Sequence, residues 1–372
     1  MRVTQSMLTH SSLRHLSQSY QNLHTLQNQL STGKKISRAS QDPVVAMNGM
    51  RYRTQSTEVT QFKRNLSEVY NWMDNGDAVL DKTGSTLHRM RELAVQASND
   101  TYEETQRKNM AQEIRQLREH LESLANTKVN NKFIFNGTNT KNAPVSADKI
   151  DVGVGVLSED PAGHVITYNS KVYELDTEHA GEGLVFRKAD SDETITITDL
   201  GGENQEIIFN NGSGGTNELL ERQVVVSEKG AVSTNNEKVE IELMKGVNVP
   251  VNVNPGKVFS ADFFGDIIQL EKALEDPSTT SEELTGLIAS FDRQIEKVVN
   301  ERAELGARYN RVEMIDDRIQ EQEVIAKRIL SENEDADIEK VITELLAAEN
   351  VHRAALASTS RIMQPTLMDF LR

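Results

Sequence analysis

Residues 59–97, VTQFKRNLSEVYNWMDNGDAVLDKTGSTLHRMRELAVQA, decide the fold. Apolar or small residues recur at Val59, Phe62, Leu66, Val69, Met73, Gly76, Leu80, Thr83, Leu87, Met90, Ala94 and Ala97. The steps alternate between three and four, a period near 3.5, so the stretch predicts a long helix that packs as a coiled coil. Asp42-Pro43 supplies its start, with Asp as the capping residue and Pro at the first helical position. From Pro43 to Ser98 such a helix is about 80 Å long, at about 1.5 Å per residue.

Toward the amino terminus, Leu13, Leu16, Tyr20, Leu23, Leu26 and Leu30 follow helical spacing and stop at Ser31-Thr32-Gly33-Lys34-Lys35, where Gly33 suits a helix C-cap. In the other direction, Asn99-Asp100-Thr101 predicts a turn into a third helix carrying Met110, Ile114, Leu117, Leu121 and Leu124, an antiparallel return. At Asn130 the period changes. Lys132-Phe133-Ile134-Phe135 before Asn136-Gly137 predicts a strand running into an Asn-Gly hairpin turn. From about 140 to 260 the pattern is β-like, clearest at Val165–Tyr168, Thr194–Thr198, Val224–Val226 and Val247–Val253, with turn-rich patches such as 210–215 between. Helix resumes near Phe263. A second heptad seam runs Phe291, Ile295, Val298, Arg302, Leu305, Tyr309, Val312, Ile315, Ile319, Gln322, Ala326 and Ile329. An acidic cluster at 332–339 interrupts it, and Ile338, Val341, Leu345, Ala348, Ala355 and Ile362 continue as an amphipathic helix closed by Pro365.

The fold class expected is mainly α with an inserted all-β domain: a long antiparallel helical rod built from the two terminal segments, and a β-rich middle. The domains expected are an N-terminal assembly helix (1–42), the first half of a helical rod (43–139), a β-rich outer domain (140–261), the second half of the rod (262–330) and a C-terminal assembly helix (331–372).

Composition agrees with seams rather than one compact body. Only 5% of the 372 residues are aromatic, so burial must come from many small contacts. The net charge of −16 argues against nucleic acid, whose binding needs clustered Lys and Arg. Charge is unevenly spread. Residues 1–70 carry Arg2, Arg14, Lys34, Lys35, Arg38, Arg51, Arg53, Lys63 and Arg64 against Asp42, Glu58 and Glu68. Residues 332–339 carry Glu332, Glu334, Asp335, Asp337 and Glu339. A basic arm and an acidic arm should attract one another, although both also suit solvated helix faces. With no cysteine, disulfides, thiolate chemistry and Cys-based zinc sites are excluded. No apolar stretch approaches membrane-spanning length, and Met1–Leu8 lacks the features of a cleaved signal peptide.

None of the eight histidines stands at close metal-ligand spacing with another. Gly153-Val154-Gly155 and the Gly-rich 212–215 stretch lack the helix start or the Lys-Ser/Thr that a phosphate site needs. Asn136-Gly137-Thr138 matches a glycosylation sequon. Paired carboxylates such as Glu103-Glu104 and Asp316-Asp317 sit on solvated helix faces, without the pocket that general acid–base work requires. The expectation is a structural protein with no catalytic residue, no cofactor and no metal.

The terminal stripes are the informative part. An isolated amphipathic arm as short as residues 3–30 is marginal, because ordering its backbone opposes the gain from burial. Each stripe should order only against a partner. The interface residues expected are Val3, Leu8, Leu13, Leu16, Tyr20, Leu23 and Leu30 on one arm. On the other they are Val341, Leu345, Leu356, Ile362, Leu367, Phe370 and Leu371. Packing of both ends on the central frame of one monomer is the competing reading.

Several motifs here are similar to a known family. Met1–Met7, Leu26-Gln27-Asn28-Gln29-Leu30-Ser31-Thr32-Gly33-Lys34-Lys35-Ile36 and Arg38-Ala39-Ser40-Gln41-Asp42-Pro43 resemble the start of the flagellin superfamily. Phe133–Gly137 resembles its helix-to-hairpin signature. Thr366–Leu371 resembles the carboxy terminus of its hook–filament junction branch. The resemblance covers about residues 1–140 and 262–372. It implies an extracellular component of the bacterial flagellum, exported by a type III apparatus without a cleaved signal peptide. It also implies a junction ring of like subunits joining the hook, through hook-associated protein 1, to the flagellin filament, and an export chaperone bound to the carboxy-terminal helix. The alternatives are flagellin itself, separable by copy number, and a cytosolic coiled-coil scaffold, which detection outside the cell would remove.

Overall fold

The structure, a computed structural model, describes residues 5–99, 103–176, 183–189, 191–198 and 206–363. The α-helices among the described residues are α1 (Gln5–Thr32), α2 (Pro43–Ala97), α3 (Glu104–Ala125), α4 (Pro255–Val258), α5 (Ala261–Glu275), α6 (Ser281–Glu334) and α7 (Ile338–Met363). Between α3 and α4 lie eleven strands, β1 (Lys128–Val129), β2 (Lys132–Phe133), β3 (His164–Tyr168), β4 (Lys171–Leu175), β5 (Leu184–Lys188), β6 (Thr194–Thr198), β7 (Glu206–Asn210), β8 (Thr216–Leu219), β9 (Val225–Glu228), β10 (Glu240–Met244) and β11 (Val247–Pro250). The chain is mainly α with an inserted β region, as its pattern predicts. It divides into two compact units, residues 64–315 and residues 1–63 with 316–372.

In the unit of residues 64–315, both seams are realised. Every seventh residue of α2 from Leu66 to Ala94, and of α6 from Phe291 to Val312, is buried. Two ion pairs place these helices antiparallel: Arg302 Nε lies 2.7 Å from Asp77, and Arg91 Nε 2.5 Å from Asp292. α3 returns along α2, with Arg89 Nε 2.8 Å from Glu113 and Asn130 Nδ2 3.2 Å from Glu68. Helix α5 is buried nearly all round: Phe263, Phe264, Ile267, Ile268, Leu270 and Leu274 lie in the core, and Asp262, Asp266, Gln269 and Glu271 are buried with them. It can lie against β3 only because residue 265 is glycine: a Cβ there would stand 2.4 Å from Thr167 Cγ2.

The hairpin expected at Asn136-Gly137 sits elsewhere. β1 and β2 pair around Asn130-Asn131, whose φ values of +50° and +62° suit a tight primed turn. Phe133, Ile134 and Phe135 are all buried, so the segment has no solvent face on which to alternate. The chain after Gly137 turns back at once, with Phe133 N donating to Thr140 O at 2.9 Å. Asn136 is itself buried, held by Asn142 O and Ser233 Oγ, which leaves the sequon match without an accessible acceptor.

The larger sheet has the order β8-β7-β6-β5-β4-β3-β9, antiparallel throughout. Its strands β3–β8 form a meander, and β9 returns to the far side of β3. Register fixes one apolar face: Leu184, Ile197, Ile207 and Leu219 stand opposite one another across four strands. The β region is shared between two cores. Val145, Ile150, Val225, Leu243, Val249 and Val251 join the helices, whereas Ile166, Tyr173, Phe186, Ile195 and Ile207 form a separate cluster.

A buried polar cluster ties the sheet to the helices. The β3–β4 turn, Asn169-Ser170, has positive φ at both residues. Ser170 donates to the Asp266 carboxylate from its amide (3.0 Å) and its hydroxyl (2.6 Å), and Gln294 Nε2 donates to it at 2.7 Å. Burial nevertheless pushes Asp266 up to about 6, overriding those bonds.

Candidate assembly interface

The unit of residues 1–63 and 316–372 is built around a joint between helix ends. α1 stops at Gly33, whose φ of +67° is the left-handed conformation that glycine adopts without strain. The chain past Gly33 meets the α6–α7 connection. Lys35 N donates to Glu334 O at 2.7 Å and Ala336 N to Gly33 O at 2.8 Å, a one-bridge antiparallel ladder at Lys34 and Asp335. Asp42 then caps α2, its Oδ1 accepting from Val44 N (3.0 Å) and Val45 N (3.1 Å). Gln41 Oε1 accepts from Ser37 N at 2.8 Å and Arg38 N at 3.1 Å, closing the intervening loop.

Glu334 is the centre of the joint. Its carboxylate is buried and takes Arg53 (Nη2, 2.7 Å) and Lys34 (Nζ, 2.8 Å), both half-exposed. The hydrogen bond from Arg53 and then that from Lys34 hold it below the usual carboxylate range against the effect of burial. Gly49 makes room: a Cβ there would stand 2.8 Å from Glu334 Oε1. Asn333 Nδ2 adds a bond to Val45 O at 3.0 Å. The basic and acidic arms therefore meet, but through one buried acid rather than two solvated faces. Neither Glu334 nor Gly49 stood out beforehand. The acidic cluster at 332–339 marked the neighbourhood, and nothing marked which of its acids turns inward.

Helices α1 and α7 pack antiparallel, with Gly33 beside Ala336 and the Tyr20 ring 6.2 Å from that of His352. α7 turns Val341, Leu345, Ala348, His352, Ala355 and Thr359 inward, at alternating steps of four and three. From α1 come the half-buried Leu16, Leu23 and Leu26. Of the expected interface residues, Leu16, Leu23, Val341 and Leu345 thus serve the pairing of the two helices. Leu13, Tyr20, Leu30 and Leu356 point to solvent, Tyr20 being 63% exposed. Val3, Leu367, Phe370 and Leu371 lie outside the described residues, as do the side chains of Leu8 and Ile362 and the closure expected at Pro365. On α7, Ile338, Ile342, Leu346 and Leu356 flank the inward stripe on one side and Val351 on the other, all exposed. The apolar arc of α7 is wider than one partner helix covers.

Among the described residues, no three His, Asp or Glu side chains are placed to hold a metal ion. No helix among them is long and apolar enough to cross a membrane.

These paired terminal helices and the inserted β region define a class of subunit. The model of the bacterial flagellin N-terminal helical region matches residues 3–140, and that of the C-terminal helical region matches residues 288–371, together more than half of the chain. The chain belongs to the bacterial flagellin family and is a structural, non-enzymatic component of the flagellum. It is 24% identical over 347 residues to a flagellin of Clostridium tyrobutyricum, covering 84% of this chain and 85% of that one. Over a shorter stretch of 150 residues it is 28% identical to flagellar hook-associated protein 3 of Escherichia coli, covering 40% of this chain and 47% of that one. Its fold is shared with a putative flagellar hook-associated protein from Vibrio parahaemolyticus at a TM-score of 0.53 and 16% identity, covering 79% of this chain and all of the other.

Proposed function

We propose that this subunit forms the junction ring between flagellar hook and filament, with its paired terminal helices completing a bundle with those of neighbouring copies. The observation that carries this reading is the exposed apolar flank of the α1–α7 pair. Among the large side chains left to water on these two helices are Leu13, Tyr20, Ile342, Leu346, Val351 and Leu356. Burying each in an assembly is worth about 2 kcal/mol. The junction position is supported by the stretch similar to hook-associated protein 3 and by the resemblance of Thr366–Leu371 to the ending of that branch. On this reading the expected partners are further copies of the chain, hook-associated protein 1 on the hook side and flagellin on the other. Before export a chaperone covers the carboxy-terminal helix. The expected interface comprises Val3, Leu8, Leu13, Tyr20, Leu30, Leu356, Ile362, Leu367, Phe370 and Leu371, with Leu16, Leu23, Val341 and Leu345 pairing α1 to α7.

Deleting the chain tests the reading. Cells should keep their hooks and release flagellin monomers into the medium; cells that still carry filaments would overturn it. A filament-subunit role is the second reading, favoured by the length over which the chain matches flagellins. Quantifying the protein in purified flagella separates the two, since a ring needs few copies and a filament thousands.

A further inference from the structure

Where the sheet meets α5 and α6, the protein forms a half-open cavity of about 210 Å³. Its charged wall residues are already paired. Arg222 Nη2 lies 3.0 Å from Glu283 Oε2, Nη1 contacts Asp276, and Gln223 Nε2 donates to Glu283 Oε1 at 2.7 Å. Two neutral polar groups are not. Gln269 is buried and commits its Nε2 to Thr167 O at 3.1 Å, and its Oε1 accepts no hydrogen bond from the described residues. The Tyr168 hydroxyl has no partner among them either, and burial together with the Glu283 charge pushes its ionisation up, so it stays a neutral donor and acceptor.

Gly286 on α6 also lines this cavity. Glycine inside a helix is destabilising relative to alanine and needs a reason. Gly265 has one in Thr167, but a Cβ at residue 286 would meet nothing within 4 Å. No packing contact requires glycine there, so a larger side chain can be placed at this wall of the cavity without a clash.

We propose that this cavity binds one neutral polyhydroxylated ring, a monosaccharide. At about 30 Å³ per water the space holds about seven waters, or one ligand of about a dozen heavy atoms. A charged ligand would find no unpaired countercharge. A wholly apolar one would strand the Tyr168 hydroxyl and Gln269 Oε1 without hydrogen bonds. Sugar hydroxyls both donate and accept, and the C–H face of a pyranose matches the Tyr168 ring and Leu287. The mix of aromatic and aliphatic lining with a few convergent polar groups is that of a small-molecule site.

The test uses the full chain and free glucose, galactose, mannose and N-acetylglucosamine, followed by saturation-transfer NMR and titration calorimetry. At least one sugar should bind with a millimolar Kd. Gly286→Leu should abolish the binding while the thermal midpoint holds or rises. Tyr168→Phe, which keeps the ring and the fold, should weaken it about fivefold, the worth of one hydrogen bond. The proposal is overturned by no saturation transfer from any of the four sugars, by binding that survives Gly286→Leu, or by Tyr168→Phe binding as the native protein does.

Discussion

The two compact units are made of the same material and reach different ends. In residues 64–315, α2 and α6 bury a side chain at every seventh position, and α3, α5 and the sheet cover what those seams leave open. In the other unit, α1 buries no described side chain fully, and among the described side chains of α7 only Val341 and Thr359 are buried. The periodicity of the sequence is the same in both. What differs is how many partners the chain itself provides: several layers in one unit, a single facing helix for α1 in the other. A heptad pattern therefore reports that a helix wants neighbours, without saying whether they are its own.

The sharpest way to break this comparison is hydrogen exchange on the monomer. Amides of α1 and α7 should exchange at least about a thousandfold faster than those of residues 66–97, because local opening of a two-helix pair costs far less than global unfolding. Equal protection in both units would end the contrast. Within the larger unit, Leu87 is fully buried. Leu87→Ala should cost about 2–5 kcal/mol in urea unfolding of that unit.

Asp266 offers the next largest effect. Its folded pKa is raised to about 6, so its ionised form is the disfavoured one in the fold. The contribution it makes to stability is fully present below the unfolded value near 4 and is lost as pH rises through about 6. A shift of this size is worth on the order of 2–3 kcal/mol. Stability of the unit of residues 64–315 should decline between pH 4 and pH 7, and Asp266→Asn should flatten that decline. A pH profile unchanged by Asp266→Asn would show that the cluster with Ser170 and Gln294 does not couple to folding.

Glu334 runs the opposite way. Its folded pKa is lowered, so its contribution is present above the unfolded value near 4.3 and fades as pH falls through the folded one. Arg53 and Lys34 are half-exposed, which limits the effect to about 1 kcal/mol. Glu334→Gln should speed exchange at the Lys35 and Ala336 amides about fivefold, the equivalent of that energy, and leave residues 64–315 untouched. A change spread over both units would sink the local account.

Much of the helical frame was legible because α2 and α6 carry long, unbroken heptads and Asp42-Pro43 and Gly33 punctuate them. The β region was legible only where side chains alternate, as in Thr194–Thr198. β4, β5, β7, β8 and β10 went unread because their residues, such as Thr216-Asn217-Glu218, have faces set by cross-strand neighbours rather than by local pattern. The Asn136-Gly137 turn was misplaced since two adjacent asparagines at 130–131 serve a primed turn equally well. For the interface, the spacing found the stripes but could not divide Leu345 from Leu356, because both lie within one broad apolar arc.

That division gives the finest test. Leu345 lies on the stripe that faces α1, so Leu345→Asp should unpair the two helices in the monomer and block assembly with them. Leu356 is 46% exposed. Its replacement by Asp removes no monomer contact of consequence and should change monomer stability by less than about 0.5 kcal/mol. In the proposed bundle the same position would be buried, where an unpaired carboxylate costs several kcal/mol. Leu356→Asp should therefore leave circular dichroism and hydrogen exchange of the monomer as they are, and abolish filament attachment. If filaments persist, the solvent-facing flank of α7 is not an interface; if the monomer itself loosens, the flank already serves the fold of the single chain.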